Sequence, residues 1–435
     1  MLKTGTRAPY RGWRVLAAAF LSAMIAAGCS IHLFGLFVVA VTQEFGISRA
    51  GANNGMIALM LGAAIWSPVV GPMLDRLAAR LVMGIGGVLL GGGLVAISQS
   101  QSLPLITAII VGPIALGVAA TGTLASNTVV VRWFRQRRGR ALGLLAISSS
   151  AGGFLIVPLT ALLIEQFGWR NALLQLGLLA GSLVLAIVLL GIRDRPQGDE
   201  AGFDQEFGSG GSDGTAGAAD ASEGLWTFRE LLGNRNFWLL TLAVGLLFGS
   251  DQALMTSQVP YFQDAGISLS ASAMIVSCMT ASAVGGKLIV GALADRVDLR
   301  LLFLGVAVAH VGLLLVYIIQ PGYWLLLASV SVMGIAVGGV YPVWTTLIAW
   351  QFGAQSFGTV MGAMVILMKP IAMLALYFIG NVHDRTGSYE QGFMMFIIAV
   401  CVAATLMLAL RRPEQGTHRC ADSPGDVPGD PAQSG

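Results

Sequence analysis

Gly71-Pro-Met-Leu-Asp75-Arg76-Leu-Ala-Ala-Arg80 and Gly291-Ala-Leu-Ala-Asp295-Arg296-Val-Asp-Leu-Arg300 share one spacing, GxxxDRxxxR, in two distant parts of the chain. Each copy follows the second of a series of apolar runs in its half. Ordinary interfacial charge accounts for the arginines but not for the matching spacing, so the pair reads as a repeated device in a chain of two related halves. Glycine permits close helix approach, aspartate accepts hydrogen bonds from a helix N-terminus, and arginine anchors to a lipid phosphate or a carboxylate. The two copies, Gly71, Asp75, Arg76, Arg80 and Gly291, Asp295, Arg296, Arg300, are therefore a candidate conformational gate.

Working outward, 55% apolar and 11% charged residues with a mean hydropathy of +0.77 define an integral membrane protein. Runs of about 20 apolar residues, enough for a hydrocarbon core of roughly 30 Å, fall at 13–41, 51–71, 81–98, 104–131, 140–164, 169–192, 237–263, 268–294, 299–319, 323–351, 355–381 and 388–410. The expected fold is all-α, with twelve transmembrane helices in two pseudo-symmetric six-helix bundles. Residues 1–192 form the first bundle, 193–236 a flexible linker whose 198–224 stretch is Gly, Ser, Ala, Asp and Glu, 237–412 the second bundle, and 413–435 a disordered tail. Arginines cluster after even-numbered spans, leaving Arg49, Arg170 and Arg385 on the other face. The positive-inside rule then puts both termini in the cytoplasm of a cell inner (plasma) membrane protein. No small-residue cleavage site follows the basic N-terminus, so the first span is expected to stay.

A net charge of +3 spread along the chain points away from nucleic acid. Cys29, Cys278, Cys401 and Cys420 make no metal-ligand spacing, so no metal or other cofactor is expected and the cysteines read as structural. Ala281–Leu288 has Gly286-Lys287 but lacks the other residues of a phosphate loop, which leaves ATP drive without support. No HExxH or nucleophile elbow is present, so the chain is not read as an enzyme. An intramembrane enzyme or a receptor is the alternative of a different class.

Lys287 and Lys369 are two of three lysines in the chain, and both lie inside apolar spans. A cation at mid-membrane costs about 2.5–3.5 kcal/mol on insertion scales and marks an ion or substrate pathway. Lys287 precedes Asp295 by eight residues, about 12 Å of helix. Asp251, in the middle of the seventh span, is a candidate ion-pair partner and a candidate proton carrier, because burial and a nearby cation pull a carboxylate in opposite directions. His32 is a candidate for either proton coupling or substrate contact. Tyr341, beside Pro342, and Asn127 are further candidate substrate contacts, with an interhelical hydrogen bond as the plainer reading. Asn53 and Asn54 read as interfacial. Gly84-Ile-Gly86-Gly87 and Gly91-Gly92-Gly93 read as close helix contacts.

The paired halves and the repeated motif resemble the major facilitator superfamily of secondary transporters. Gly12-Trp13, Trp133-Phe134-Arg135-Gln136-Arg137-Arg138-Gly139-Arg140-Ala141-Leu142-Gly143 with Gly152 and Gly153, Gly168-Trp169-Arg170, and His383-Asp384-Arg385-Thr386-Gly387-Ser388-Tyr389 resemble the signatures of its monocarboxylate transporters and their oxalate/formate antiporter relatives. Tyr10-Arg11 and Arg14 stand where the animal monocarboxylate signature has an acidic residue and a second tryptophan. The family arginine that meets the substrate carboxylate falls on Lys287, and the aspartate one turn earlier falls on Ala283. Lys369 matches the second membrane cation of the oxalate/formate antiporters. By the same resemblance the ninth span is peripheral, so His310 reads as a packing or lipid-side residue.

The resemblance implies alternating-access transport of small organic anions, with monocarboxylates such as lactate or pyruvate first. The partners would be a small carboxylate, protons or a counter-anion, and the bilayer. Oxalate/formate-type dicarboxylate exchange and multidrug-type export of hydrophobic compounds are the alternatives.

Overall fold

The computed structural model describes residues 11–134, 138–194, 226–294, 296–320, 322–353 and 356–410, apart from the side chains of Asp75, Arg138, Gly139 and Gly358. Most of the expected linker, Asp295 of the second repeat and the tail lie outside them. Hydrocarbon offers no hydrogen bonds to the backbone, so a spanning chain must satisfy its own, and the described residues form helices with no strand.

In chain order these are α1 (Gly12–Gly28), α2 (Phe34–Phe45), α3 (Arg49–Arg76), α4 (Ala79–Gln99), α5 (Leu103–Ile109), a π turn (Ile110–Ile114), α6 (Ala115–Thr121), α7 (Thr123–Trp133) and α8 (Arg138–Gly191). After the linker come α9 (Phe228–Gly233), α10 (Arg235–Asp264), α11 (Leu269–Ala294), α12 (Leu299–Ile319), α13 (Tyr323–Phe352), α14 (Phe357–Thr386) and α15 (Glu390–Leu408). Among the described residues, ten stretches are long and apolar enough to cross a membrane. One of them, α8, crosses twice because Gly168 (φ 78°, ψ 160°) folds it into two arms. Adding the α1–α2 pair gives twelve spans, the architecture of two six-helix bundles.

Two spans expected as single runs are interrupted. Span 1 breaks at 29–33, where the Ser30 hydroxyl donates back to the Ala26 carbonyl at 2.5 Å and competes with the helix ladder. Span 4 carries Pro113 inside its π turn, because proline lacks the N–H and crowds the preceding turn. Gly122 (φ −77°, ψ −153°) then ends α6 before α7 restarts.

Lipid gives helices no hydrophobic reason to associate, so close packing must hold them, and small residues allow it. A Cβ on Gly286 would overlap the Ile335 carbonyl, and one on Gly338 would overlap that of Ala283. These contacts seat α11 on α13. In the first bundle a Cβ on Gly91 would lie 2.5 Å from the Gly177 carbonyl, which brings α4 against the second arm of α8. Gly84 and Gly92, read from sequence with these contacts, meet little or nothing: Gly84 reaches Leu185 at 3.5 Å and Gly92 faces open space.

The apolar core is divided unevenly. One cluster joins both bundles through α1, α2, α8, α10, α11 and α14, whereas a second contains residues of the C-terminal bundle alone, among them Leu240, Trp344, Met364 and Met407. The bundles are thus sealed together toward one face and separate toward the face that holds the α3–α4 turn. Neighbouring glycines give a test of the packing. Gly286→Leu should lower stability in detergent by about 1–3 kcal/mol or more, while Gly285→Leu, which faces open space, should leave the unfolding midpoint nearly unchanged.

Candidate functional site: a cationic junction beneath a closed face

The break in span 1 positions the site. Gly28, at the end of α1, and Gly152 of α8 meet backbone to backbone, which anchors the broken segment on span 5. His32 leaves this segment and packs on Gly153: a Cβ there would meet His32 Nδ1 at 3.0 Å and Thr280 Cγ2 of α11 at 2.9 Å. The imidazole is thereby set between spans 1, 5 and 8.

Lys287 extends from α11 across the junction between bundles, and its ammonium donates to the Ala146 carbonyl at 2.7 Å. An ammonium has three donors, and among the described residues no carboxylate pairs with it. The structure therefore brings His32, Thr280 and Lys287 to the region where spans 1, 5 and 8 meet. Desolvated donors without a counter-charge suit an anion.

The remaining candidates are more scattered. Lys369, half-buried on α14, has no carboxylate partner among the described residues. Asp251 is paired with neither lysine: one of its carboxylate oxygens is buried without a hydrogen-bond partner, and Tyr317 of α12 lies within its electrostatic reach. Tyr341 is 43% exposed and stacks edge-on against Trp344. Asn127 is exposed on α7. Among the described residues no hydrogen bond joins Tyr341 or Asn127 to either lysine. His310, expected as a packing or lipid-side residue, is 1% exposed and shares a 3.1 Å hydrogen bond with Ser250 of α10, so the packing reading holds and the lipid-side one does not.

Above this junction, the face away from the α3–α4 turn is closed by charge. The Asp384 carboxylate of α14 accepts from the backbone N–H groups of Arg49 and Ala50 at 2.7 and 3.0 Å, capping the start of α3. The Arg49 guanidinium pairs with Asp264 at 2.9 Å, and His383 approaches the other oxygen of Asp264 at 3.2 Å. Asn53, expected at the interface, is instead 2% exposed and donates to the Leu376 carbonyl at 3.1 Å. Its amide can be buried because the other bundle supplies the acceptor. A Cβ on Gly380 would lie 2.6 Å from Ala50 Cα, so the two helices touch there. Glu165 accepts from the Ser270 N–H at the start of α11 at 2.8 Å, and the Ser277 hydroxyl donates to the Phe154 carbonyl at 2.6 Å. Beside this network, hydrogen bonding from Arg170 holds the Glu44 carboxyl below its ordinary range despite the opposing effect of burial.

At the opposite face the two motif glycines stand clear of the described residues. A side chain at Gly71 or Gly291 would meet empty space, and Arg76, Arg80 and Arg296 are exposed. The close approach expected at the two glycines is therefore not made among the described residues. Arg300 stacks over Trp350 at 5.4 Å. The side chain of Asp75 and the whole of Asp295 lie outside the described residues. Sequence reading missed Arg49, Asp264, Asn53 and Gly380 as closure residues. The available signal was the cluster of charges at the expected ends of spans 2, 7 and 11, together with His383-Asp384-Arg385.

Two membrane bundles tied by polar contacts at one face, with a cation between them that no described carboxylate pairs, have the build of a transporter. The sequence matches the Major Facilitator Superfamily over residues 16–375, and the chain belongs to that family. It is similar to human monocarboxylate transporter 11, with 27% identity covering 88% of this chain and 79% of that protein. It is also similar to the gallate transporter of Pseudomonas putida, with 25% identity over 81% and 84% of the respective chains. Among solved structures, a bacterial homologue of the human lysosomal transporter Spinster, described as inward-facing and unoccupied, superposes with a TM-score of 0.70 at 17% identity, covering 93% of this chain and 98% of that one. A D-xylose–proton symporter gives 0.66 at 14% identity, covering 92% and 97%.

The closed face yields a prediction. With spin labels at Gln43→Cys and Gln391→Cys in a background without other cysteines, Asp384→Asn should shift the measured distances outward. An unchanged distribution would remove Asp384 from the closure.

Proposed function

We propose that the protein carries a small organic monocarboxylate by alternating access, with its carboxylate held by Lys287. The observation that carries this reading is the Lys287 ammonium at the junction of spans 1, 5 and 8, bonded to one carbonyl and to no carboxylate. The relatives support the same chemistry, since one is named for monocarboxylates and another for gallate, an aromatic carboxylate. On this reading His32 and Thr280 line the bound anion, Lys369 supplies a second cation from the other side of the cavity, and Tyr341 and Asn127 contact the uncharged part of the substrate. Asp251 and His32 are the proton carriers. The GxxxDRxxxR residues close the face that is open here, which is the cytoplasmic one in a plasma-membrane protein with both termini inside. The structure then corresponds to the inward-facing state.

Two unpaired membrane cations, Lys287 and Lys369, also favour a second reading, exchange of dicarboxylates of the oxalate type. Uptake into proteoliposomes of radiolabelled lactate, pyruvate, formate, oxalate, a neutral sugar and a cationic dye separates the two. A monocarboxylate driven by an inward proton gradient is the expected result. Oxalate uptake that requires preloaded anion would establish exchange, and transport of the dye alone would overturn both.

Lys287→Gln should raise KM by about 10- to 100-fold, the scale of one lost hydrogen bond to a charged group, with normal expression and Lys287→Arg retaining part of the affinity. Asp251→Asn should abolish the response to the proton gradient while leaving exchange of internal for external anion intact. A proton-driven Asp251→Asn protein would take the proton role away from that residue.

A further inference from the structure

A second cavity, of about 150 Å³, lies inside the N-terminal bundle near its closed face, bounded by α2, α3, α4, α5, the π turn and the second arm of α8. Neither Lys287 nor Lys369 lines it. Phe34, Phe37, Leu59, Ile106, Ile110 and Leu173 supply most of its surface. Of the polar groups around it, the hydroxyls of Ser30 and Thr107 donate to carbonyls of their own helices at 2.5 and 3.0 Å, and the Trp169 indole N–H donates to Glu44 at 2.7 Å. Asn54 and Thr107 are its exposed lining residues.

The lining offers few free polar partners to water, which needs two to four, and an apolar space of about 150 Å³ is enough elsewhere to accept benzene. Two of the three interruptions of the helical spans border it: Cys29, Ser30 and Leu33 from the break in span 1, and Ile110 and Ile114 from the π turn. The chain thus departs from straight helices twice around one apolar space.

We propose that this cavity is a binding site for an uncharged hydrocarbon group about the size of one aromatic ring, and that its occupancy controls the closed face. The link is α2. It presents Phe34, Phe37, Val38 and Val41, spaced as one helix face, to the cavity. From a different face it presents Gly35, where a Cβ would lie 2.9 Å from the Thr256 carbonyl of α10. Opening the closed face requires α2 to leave α10, and the cavity is the free volume into which α2 can tilt. A ligand there removes that volume and holds the face shut.

The test uses the full-length protein in lipid nanodiscs, photolabelled with 3-phenyl-3-(trifluoromethyl)diazirine and mapped by mass spectrometry. Saturable adducts within 33–41 and 103–114 are expected, and Ile110→Trp, which fills the cavity, should remove these while sparing adducts on bilayer-facing positions. Val41→Trp fills the same space from another helix and serves if Ile110→Trp does not fold. Nanodiscs with dibrominated acyl chains distinguish the source: quenching that disappears in Trp169→Phe means that the bilayer's own chains enter, and saturable labelling without that quenching means that a free apolar molecule does. Spin labels at Gln43→Cys and Gln391→Cys should report a larger closed population with the phenyl compound than without it. Labelling that rises without saturation and is unchanged in both filled variants would overturn the site. Unchanged spin-label distances alongside saturable labelling would overturn its control of the closed face.

Discussion

The carboxylate of Asp384 sits at the first turn of α3 and accepts two of its backbone N–H groups. The start of a helix exposes unpaired donors and carries partial positive charge, and here the partner comes from the other bundle instead of from the helix's own cap. The conformation depends on this borrowed cap. With it in place, Arg49 is held where it reaches Asp264, Asn53 reaches the Leu376 carbonyl, and Gly380 brings the backbones together. Each of these contacts requires the helices to be already close, so they are made or lost as a group, which is how small local differences become two discrete states.

The closed face lies to one side of the cationic junction, where the bundles meet through a long side chain. The Lys287 ammonium crosses between bundles to the Ala146 carbonyl, and the break in span 1 sets His32 beside it. Irregular backbone at membrane depth is tolerated where it is buried in protein or lines a cavity. The span 1 break meets that condition, because span 5 packs against it through Gly28 and Gly152.

Much of this was legible in the chain. Apolar runs and the repeated GxxxDRxxxR gave twelve spans in two halves, because span length is set by bilayer thickness and leaves little freedom. The depth of Lys287 was legible for the same reason. The interruptions of spans 1 and 4 were not, since Ser30 and Pro113 are both tolerated within straight membrane helices and only packing decides whether the ladder breaks. The ties from Arg49 to Asp264 and from Asn53 to Leu376 join residues more than 200 positions apart, and hydropathy carries no information about such pairings. The open space at Gly71 and Gly291 was not legible either, since the spacing of a motif carries no information about what its glycines face.

The bend at Gly168 has a mechanical meaning. Its positive φ turns the chain from span 5 into span 6 with no intervening loop, so there is no slack between the two arms. Span 6 is in turn keyed to α4 through Gly177 and Gly181 against Gly91. A tilt imposed on span 5 at the junction is thus handed directly to helices on the outside of the bundle. Spans 3, 5 and 6 are thus one stiff block, and the lipid against them must be displaced whenever that block tilts.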